Sequence, residues 1–205
     1  VSPDRITQET RERILDAAWN LLIEGGRADV SLAEIGKAAG VSRQSVYLAF
    51  GSRAGLLIAM VRRADTISEA SQRMRAATTE SDEGLPALRE FTKAWFERIP
   101  QVLPVAMLLA QATPTDSDAR AAWSDRMESL RGGFATILWR VKRDGLLKTK
   151  LSVGQAADIA WSLTHIDAWR HLVVERNWSP EQFASTRMAM LEWALIDSKA
   201  ARKHT

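Results

Sequence analysis

Residues 31 to 50 read SLAEIGKAAGVSRQSVYLAF, and this stretch decides the fold. Ser31 followed by Glu34 is an S-x-x-E capping box, in which hydroxyl and carboxylate each satisfy a backbone N–H that a first helical turn leaves orphaned. The box predicts a short helix from Leu32 with Leu32, Ile35, Ala38 and Ala39 on its inner face. Gly40 ends it, because glycine takes positive φ without Cβ strain. Val41 plugs the turn, Ser42 caps a second helix, and Val46, Ala49 and Phe50 form that helix's buried side. Two short amphipathic helices joined by a three-residue turn containing glycine make a helix-turn-helix. Gly36 sits where the helices must cross closely.

The second helix leaves Arg43, Gln44, Ser45, Tyr47 and Leu48 facing outward. Arginine donates twice to guanine O6 and N7, and glutamine pairs with adenine N6 and N7 in the major groove. Tyr47 and the hydroxyls of Ser31 and Ser42 suit phosphate oxygens, which fix register without reading sequence. Leu48 has no donor for a phosphate but matches the methyl group of thymine. A plain helical hairpin with a polar outer face fits the same residues equally well.

The flanking sequence separates the two. Residues 10 to 61, TRERILDAAWNLLIEGGRADVSLAEIGKAAGVSRQSVYLAFGSRAGLLIAMV, resemble the DNA-binding domain of the TetR family of bacterial transcriptional regulators. The resemblance lies in T-R-x-x-I-L-x-A-A, the double glycine Gly25–Gly26, A-G-V-S, the ending V-Y-x-x-F and S-R-x-x-L-L, and it covers roughly the first third of the chain. It implies that Arg43, Gln44 and Ser45 face bases while Ser31, Ser42, Tyr47 and Arg53 face phosphates. Leu48 stands where the family often has histidine, and Arg53 where lysine is usual. The implied layout is all-α. An N-terminal three-helix DNA-binding domain, residues 1–51, leads through a linking helix (its start running to about residue 63) into a ligand-binding and dimerisation domain, residues 52–205. The implied function is a transcriptional regulator, a repressor released from its operator by a small effector.

Composition limits the alternatives. Residues 1 to 60 carry seven basic side chains and seven acidic ones, although the whole chain is +3. Geometry, rather than bulk charge, therefore points to DNA, and Asp4, Glu9, Glu12 and Asp16 must face away from phosphates. Cysteine is absent, which removes disulfides and thiolate metal sites. No apolar run approaches the ~20 residues a bilayer span needs, and no signal-peptide pattern opens the chain. The expectation is a cytoplasmic protein with no membrane partner and no cofactor.

Along the chain, the first five or six residues read as a polar arm and Thr7 caps a first helix with Ile14, Ala17, Ala18, Leu21 and Leu22 inward. Ser52 caps a long fourth helix, roughly 53 to 79, the one mechanical link between the two domains. Helices follow at 86–98, about 101–112, and from Asp116 to Asp144, where Gly145 stops the chain. Gly132–Gly133 marks a kink or a close helix contact. The last two helices, 153–175 and 180 to about 198, open with Ser152/Gln155 and Ser179/Gln182 boxes, Pro180 taking N1 of the second.

Those last two helices are apolar nearly all round, so they must be buried nearly all round. Ile159, Leu163, Ile166, Phe183, Met190 and Trp193 are the expected interface of a homodimer, a four-helix contact about a two-fold axis. A larger monomer core is the alternative. Two recognition helices about 34–36 Å apart would enter successive major grooves of a palindromic operator in double-stranded DNA.

Seven of the eight tryptophans fall after residue 90. Phe91, Trp95, Met107, Trp123, Met127, Trp161 and His165 are the candidate lining of an aromatic effector cavity, although each is individually as much at home in plain core. Of the three histidines, His165 and His171 do not share a helix face, and the third, His204, lies near the end, so no metal site is expected. No nucleophile–base pair or inward carboxylate pair recurs, which argues against an enzyme. The remaining alternative is a helical dimer that binds small molecules and no DNA.

Overall fold

The computed structural model describes residues 6–27 and 29–201; the polar arm at residues 1–5, with Asp4, and His204 lie outside them. Regular structure is helical throughout the described residues, with one isolated antiparallel bridge between Leu147 and Ile196. The protein is all-α. Its helices are α1 (Gln8–Trp19, continued by a wider turn Asn20–Glu24), α2 (Leu32–Ala38), α3 (Arg43–Phe50) and α4 (Arg53–Ile67). There follow α5 (Glu69–Thr79), α6 (Gly84–Ala112), α7 (Ser117–Arg143) and α8 (Val153–Leu163). The chain ends with α9 (Ile166–Trp169, continued by a wider turn Arg170–Glu175), α10 (Pro180–Leu195) and α11 (Ser198–Ala201).

The chain divides into two compact units. The first takes residues up to Asp65 together with Val102–Ser124, and the second takes Thr66–Gln101 and residues from Asp125 onward. This differs from a cut at residue 51, because the second half of α6 and the start of α7 belong to the first unit. Val105, Leu109 and Ala119 are buried there in one core with Ile14, Leu15, Ala18, Ile35, Val46, Leu56, Leu57 and Met60. Burial also corrects the inner face expected for α2, since Ala38 is exposed.

Three helix boundaries depart from the periodicity. The long fourth helix breaks at Ser68, whose φ −81°, ψ 123° is extended and whose hydroxyl accepts from Ser71 N to start α5 afresh. The two expected helices at 86–98 and 101–112 are one helix, despite Pro100 and Pro104. Both prolines are exposed, while Ile99, Val102, Val105, Ala106 and Leu109 keep an unbroken inner stripe. Interior proline costs about 3 kcal/mol or more, and burial of that stripe outweighs it. The expected helix 153–175 divides at Thr164–His165, where His165 takes φ −58°, ψ 142° and its Nδ1 accepts from Asp167 N at 3.3 Å.

In the second unit Phe134, Ile137, Leu138 and Val141 of α7 are buried, as are Leu88, Phe91, Phe96 and Ile99 of α6. Gly133 explains the glycine pair: a Cβ there would meet Phe91 Cζ at 2.6 Å, whereas at Gly132 nothing lies within 4 Å. Phe91 cannot give way easily, because its ring stands edge-on to Phe134 with centroids 4.9 Å apart. Gly133→Ala should therefore destabilise by about 1–3 kcal/mol through overpacking, and Gly132→Ala should stabilise by roughly 1 kcal/mol through helix propensity. Urea melts of the two variants test this, and equal effects would contradict it.

Candidate nucleic-acid interface

The helix-turn-helix is held by local bonds that its sequence dictates. Ser31 Oγ accepts from Glu34 N at 3.2 Å and Glu34 Oε2 accepts from Ser31 N at 2.9 Å, completing the capping box. At the other end of α2, Gly40 adopts φ +69°, Gly40 N donates to Lys37 O at 3.2 Å and Val41 N donates to Gly36 O at 2.8 Å. These paired bonds form a Schellman closure, and it turns the chain straight into α3. Gly36 makes room for the turn: a Cβ would meet Val41 O at 3.0 Å and Val46 Cγ2 at 3.2 Å.

With Val46 and Ala49 buried, α3 presents Arg43, Gln44, Tyr47 and Leu48 outward, the last two 60% and 63% exposed. Spacings of three and four residues make these a two-by-two array on one helix face. The array carries no acidic group. The other expected contacts are less available. Ser45 is half-buried, its N–H goes to Ser42 Oγ at 3.0 Å, and the two hydroxyls bond each other at 2.9 Å. Ser31 spends its hydroxyl proton on Glu34 Oε2 at 2.9 Å, beside a carboxylate that repels phosphate. Arg53 is half-buried and donates to the Val30 carbonyl. Local capping chemistry thus competes with DNA contact at Ser31, Ser42 and Ser45, and a longer-range bond to Val30 does so at Arg53.

One arginine outside the array positions it. Arg11 of α1 donates to the Ala49 carbonyl at the end of α3 and lies 4.6 Å over the Phe50 ring. That contact joins residues 38 apart, so no local periodicity announces it. Arg63 of α4 meets Glu12 at 3.2 Å and Asp16 at 2.6 Å, offsetting two of the acidic groups on α1.

In the second unit, the aromatic side chains expected to line a cavity separate into two sets. Phe91 and Trp95 of α6 are buried, and Trp161 lies edge-on to His165 with centroids 5.0 Å apart. Trp95 Nε1 donates at 2.8 Å to Thr164 O, a carbonyl released where α8 ends and Ala168 N turns to His165 O instead. Thr92 Oγ1 and Trp161 Nε1 are buried without a hydrogen-bond partner among the described residues. Thr92 went unremarked in the sequence, although a threonine on a fully buried helix face is itself a signal. Burial keeps the His165 imidazole below its ordinary pKa, against the pull of Asp167 at 3.3 Å. Met127 is half-buried in this unit. Met107 and Trp123 belong to the first unit, where Trp123 packs on the helix-turn-helix core. A groove of about 350 Å³ between α5 and α6 is lined by Arg73, Ala76, Ala77, Pro86, Ala87 and Glu90 among others, and by none of the expected cavity residues.

The expected dimer residues divide as well. Ile166 and Phe183 are 1% and 0% exposed inside their own unit, Phe183 standing edge-on to Phe96 and Trp169, so both are corrected from interface to core. Ile159 and Leu163 are half-buried, and Met190 and Trp193 are exposed, with Lys148 Nζ 5.0 Å over the Trp193 ring. No single helix among the described residues is long and apolar enough to cross a membrane.

The fold and the face of α3 define an all-α helix-turn-helix protein. Residues 14–60 match the family model described as bacterial regulatory proteins, tetR family. That match marks residues 14–60 as a regulatory domain of the tetR type, and the rest of the chain lies outside it. It is 44% identical over 46 residues to the HTH-type transcriptional regulator AlkX of Mycobacterium tuberculosis, a match covering 22% of each chain. The chain thus spans about a fifth of the length of that curated relative. Likeness over the whole length comes from solved structures. The SmeT–triclosan complex, SmeT being of Stenotrophomonas maltophilia, is 20% identical with TM-score 0.74 over 94% of each chain. NalD, the secondary repressor of the MexAB-OprM multidrug efflux pump of Pseudomonas aeruginosa, is 21% identical with TM-score 0.67 over 93% of this chain and 98% of that one. At these identities the likeness is one of fold.

The capping box also sets an acid limit. Glu34 is lowered to about 2, first by the Ser31 N–H and then by Arg27 and the Ser31 hydroxyl. A carboxyl whose folded pKa lies below its unfolded one contributes fully above the unfolded value and loses that contribution as pH falls towards the folded one. The stability gap between the wild type and Glu34→Gln should therefore be constant above about pH 5 and shrink towards pH 2. Thermal melts across that range check it, and a gap that widened in acid would be the wrong sign.

Proposed function

We propose that the protein is a DNA-binding transcriptional regulator, a repressor that grips a palindromic operator as a homodimer and leaves it when a small apolar or aromatic effector binds. One observation carries the reading: Arg43 and Gln44 stand exposed at the start of a short helix whose two ends are pinned by Ser42 and Gly51. Base-edge readout needs donors held in register on such a helix, and Tyr47 adds a hydroxyl for phosphate. In the dimer, Ile159, Leu163, Met190 and Trp193 of each copy are the apolar positions left to meet a partner. The effector cavity is centred on Phe91, Trp95, Met127, Trp161 and His165 in the second unit. A neighbour solved with triclosan and others named as repressors of multidrug efflux pumps favour an effector of this kind.

Release follows from differential affinity: the effector favours a spacing of the two α3 helices that does not fit the operator. α4 ends two residues past the boundary between the units, whereas α6 and α7 each run unbroken from residues of one unit into residues of the other, so the chain offers continuous helical paths besides the fourth helix. Leu48 and the charge balance of residues 1 to 60 favour the second reading, a dimer that binds small molecules and no DNA. Salt-dependent binding to a selected duplex separates the two readings.

Arg43→Ala and Gln44→Ala should each cost about 1–3 kcal/mol of discrimination between selected and scrambled duplexes. Sedimentation should show the oligomeric state unchanged. Discrimination that survives both substitutions would refute the placement of α3 in the groove.

A further inference from the structure

An isolated leucine on a protein surface needs no explanation, but the position of Leu48 sets it apart. It is 63% exposed, one helical turn beyond Gln44 and adjacent to Tyr47, inside the array that the proposed function assigns to DNA. Its isobutyl group can neither donate to a phosphate nor pair with a base edge. The major groove offers one apolar feature that suits it, the C5 methyl of thymine. Gln44, in the row behind it, carries the amide that pairs with adenine N6 and N7. Four residues at 1.5 Å each place Leu48 about 6 Å further along the helix, which is about two base steps at their 3.4 Å spacing.

We propose that Leu48 is a specificity-determining residue that reads a thymine methyl group within about two base steps of the adenine taken by Gln44. Each half-site then contains a thymine selected by apolar contact alone, with no hydrogen bond specifying it. The inference rests on the DNA-regulator reading. It would add a third base-reading side chain to Arg43 and Gln44, where Ser45 is turned to Ser42. A contact between Leu48 and deoxyribose is the competing role, and it would strengthen binding to every sequence alike.

The test begins by selecting binding sites from random-sequence duplexes with the full-length wild type and with Leu48→Ala. Because the side chain is exposed, the variant should melt with the wild type, which circular dichroism verifies. The wild type should enrich a half-site with an invariant thymine near an adenine, and Leu48→Ala should lose preference at that position alone. Each thymine of the selected duplex is then replaced by deoxyuridine, which removes one methyl group and keeps every hydrogen bond. At one position per half-site, affinity should fall about fourfold for the wild type and not at all for Leu48→Ala. If a sequence is enriched but deoxyuridine costs nothing, or costs the variant as much as the wild type, the role of Leu48 is refuted and the regulator reading survives. A uniform loss for Leu48→Ala on every duplex assigns it to the sugar and likewise overturns the proposal. Enrichment of no sequence at all sinks the regulator reading and this inference with it.

Discussion

The close approach at Gly36 is the constraint on which the helix-turn-helix depends. The hydrogen bond from Val41 N to Gly36 O closes with Val41 and Val46 packed against residue 36, where a Cβ would crowd Val41 O at 3.0 Å and Val46 Cγ2 at 3.2 Å. With the turn closed, Ser42 stands where it caps α3, and the outward direction of Arg43, Gln44, Tyr47 and Leu48 is a consequence. Arg11 and the buried residues of α1 and α4 then press the assembly from behind. A single absent Cβ thus sets the aim of four exposed side chains.

Most of this was legible in the sequence, because the signals are local. Capping boxes, positive-φ glycines and short apolar repeats act over three to five residues, and Ser31, Gly40, Ser42 and Ser152 do what their spacing says. Breaks and fusions were harder to read. Ser68 opens a new helix although no carboxylate stands three residues on to complete a box, and Pro100 and Pro104 are tolerated because both fall on the solvent side. That side is set by what packs against α6, which periodicity alone does not reveal.

The sites were legible only as far as exposure goes. An outward Arg43 or Gln44 follows from helical periodicity, but the engagement of Arg53 with the Val30 carbonyl does not. The two apolar faces of the last helices gave no indication of which would pack within the chain, and Ile166 and Phe183 turned inward while Trp193 did not. Trp95 shows the same limit. A tryptophan that reads as cavity lining is also the donor that satisfies Thr164 O where α8 ends.

The arginines of the first unit have one more implication. Arg11, Arg27, Arg53 and Arg63 already have acceptors within the protein, so these four guanidiniums are less available to displace the ion atmosphere of a duplex. Under the regulator reading, a protein so equipped would hold arbitrary sequence less firmly than one with those arginines free. On that reading, its choice of site would hang on groove contacts more than on attraction to the backbone, and its grip would still loosen as salt rises, though less steeply than that of a protein with a bare basic face.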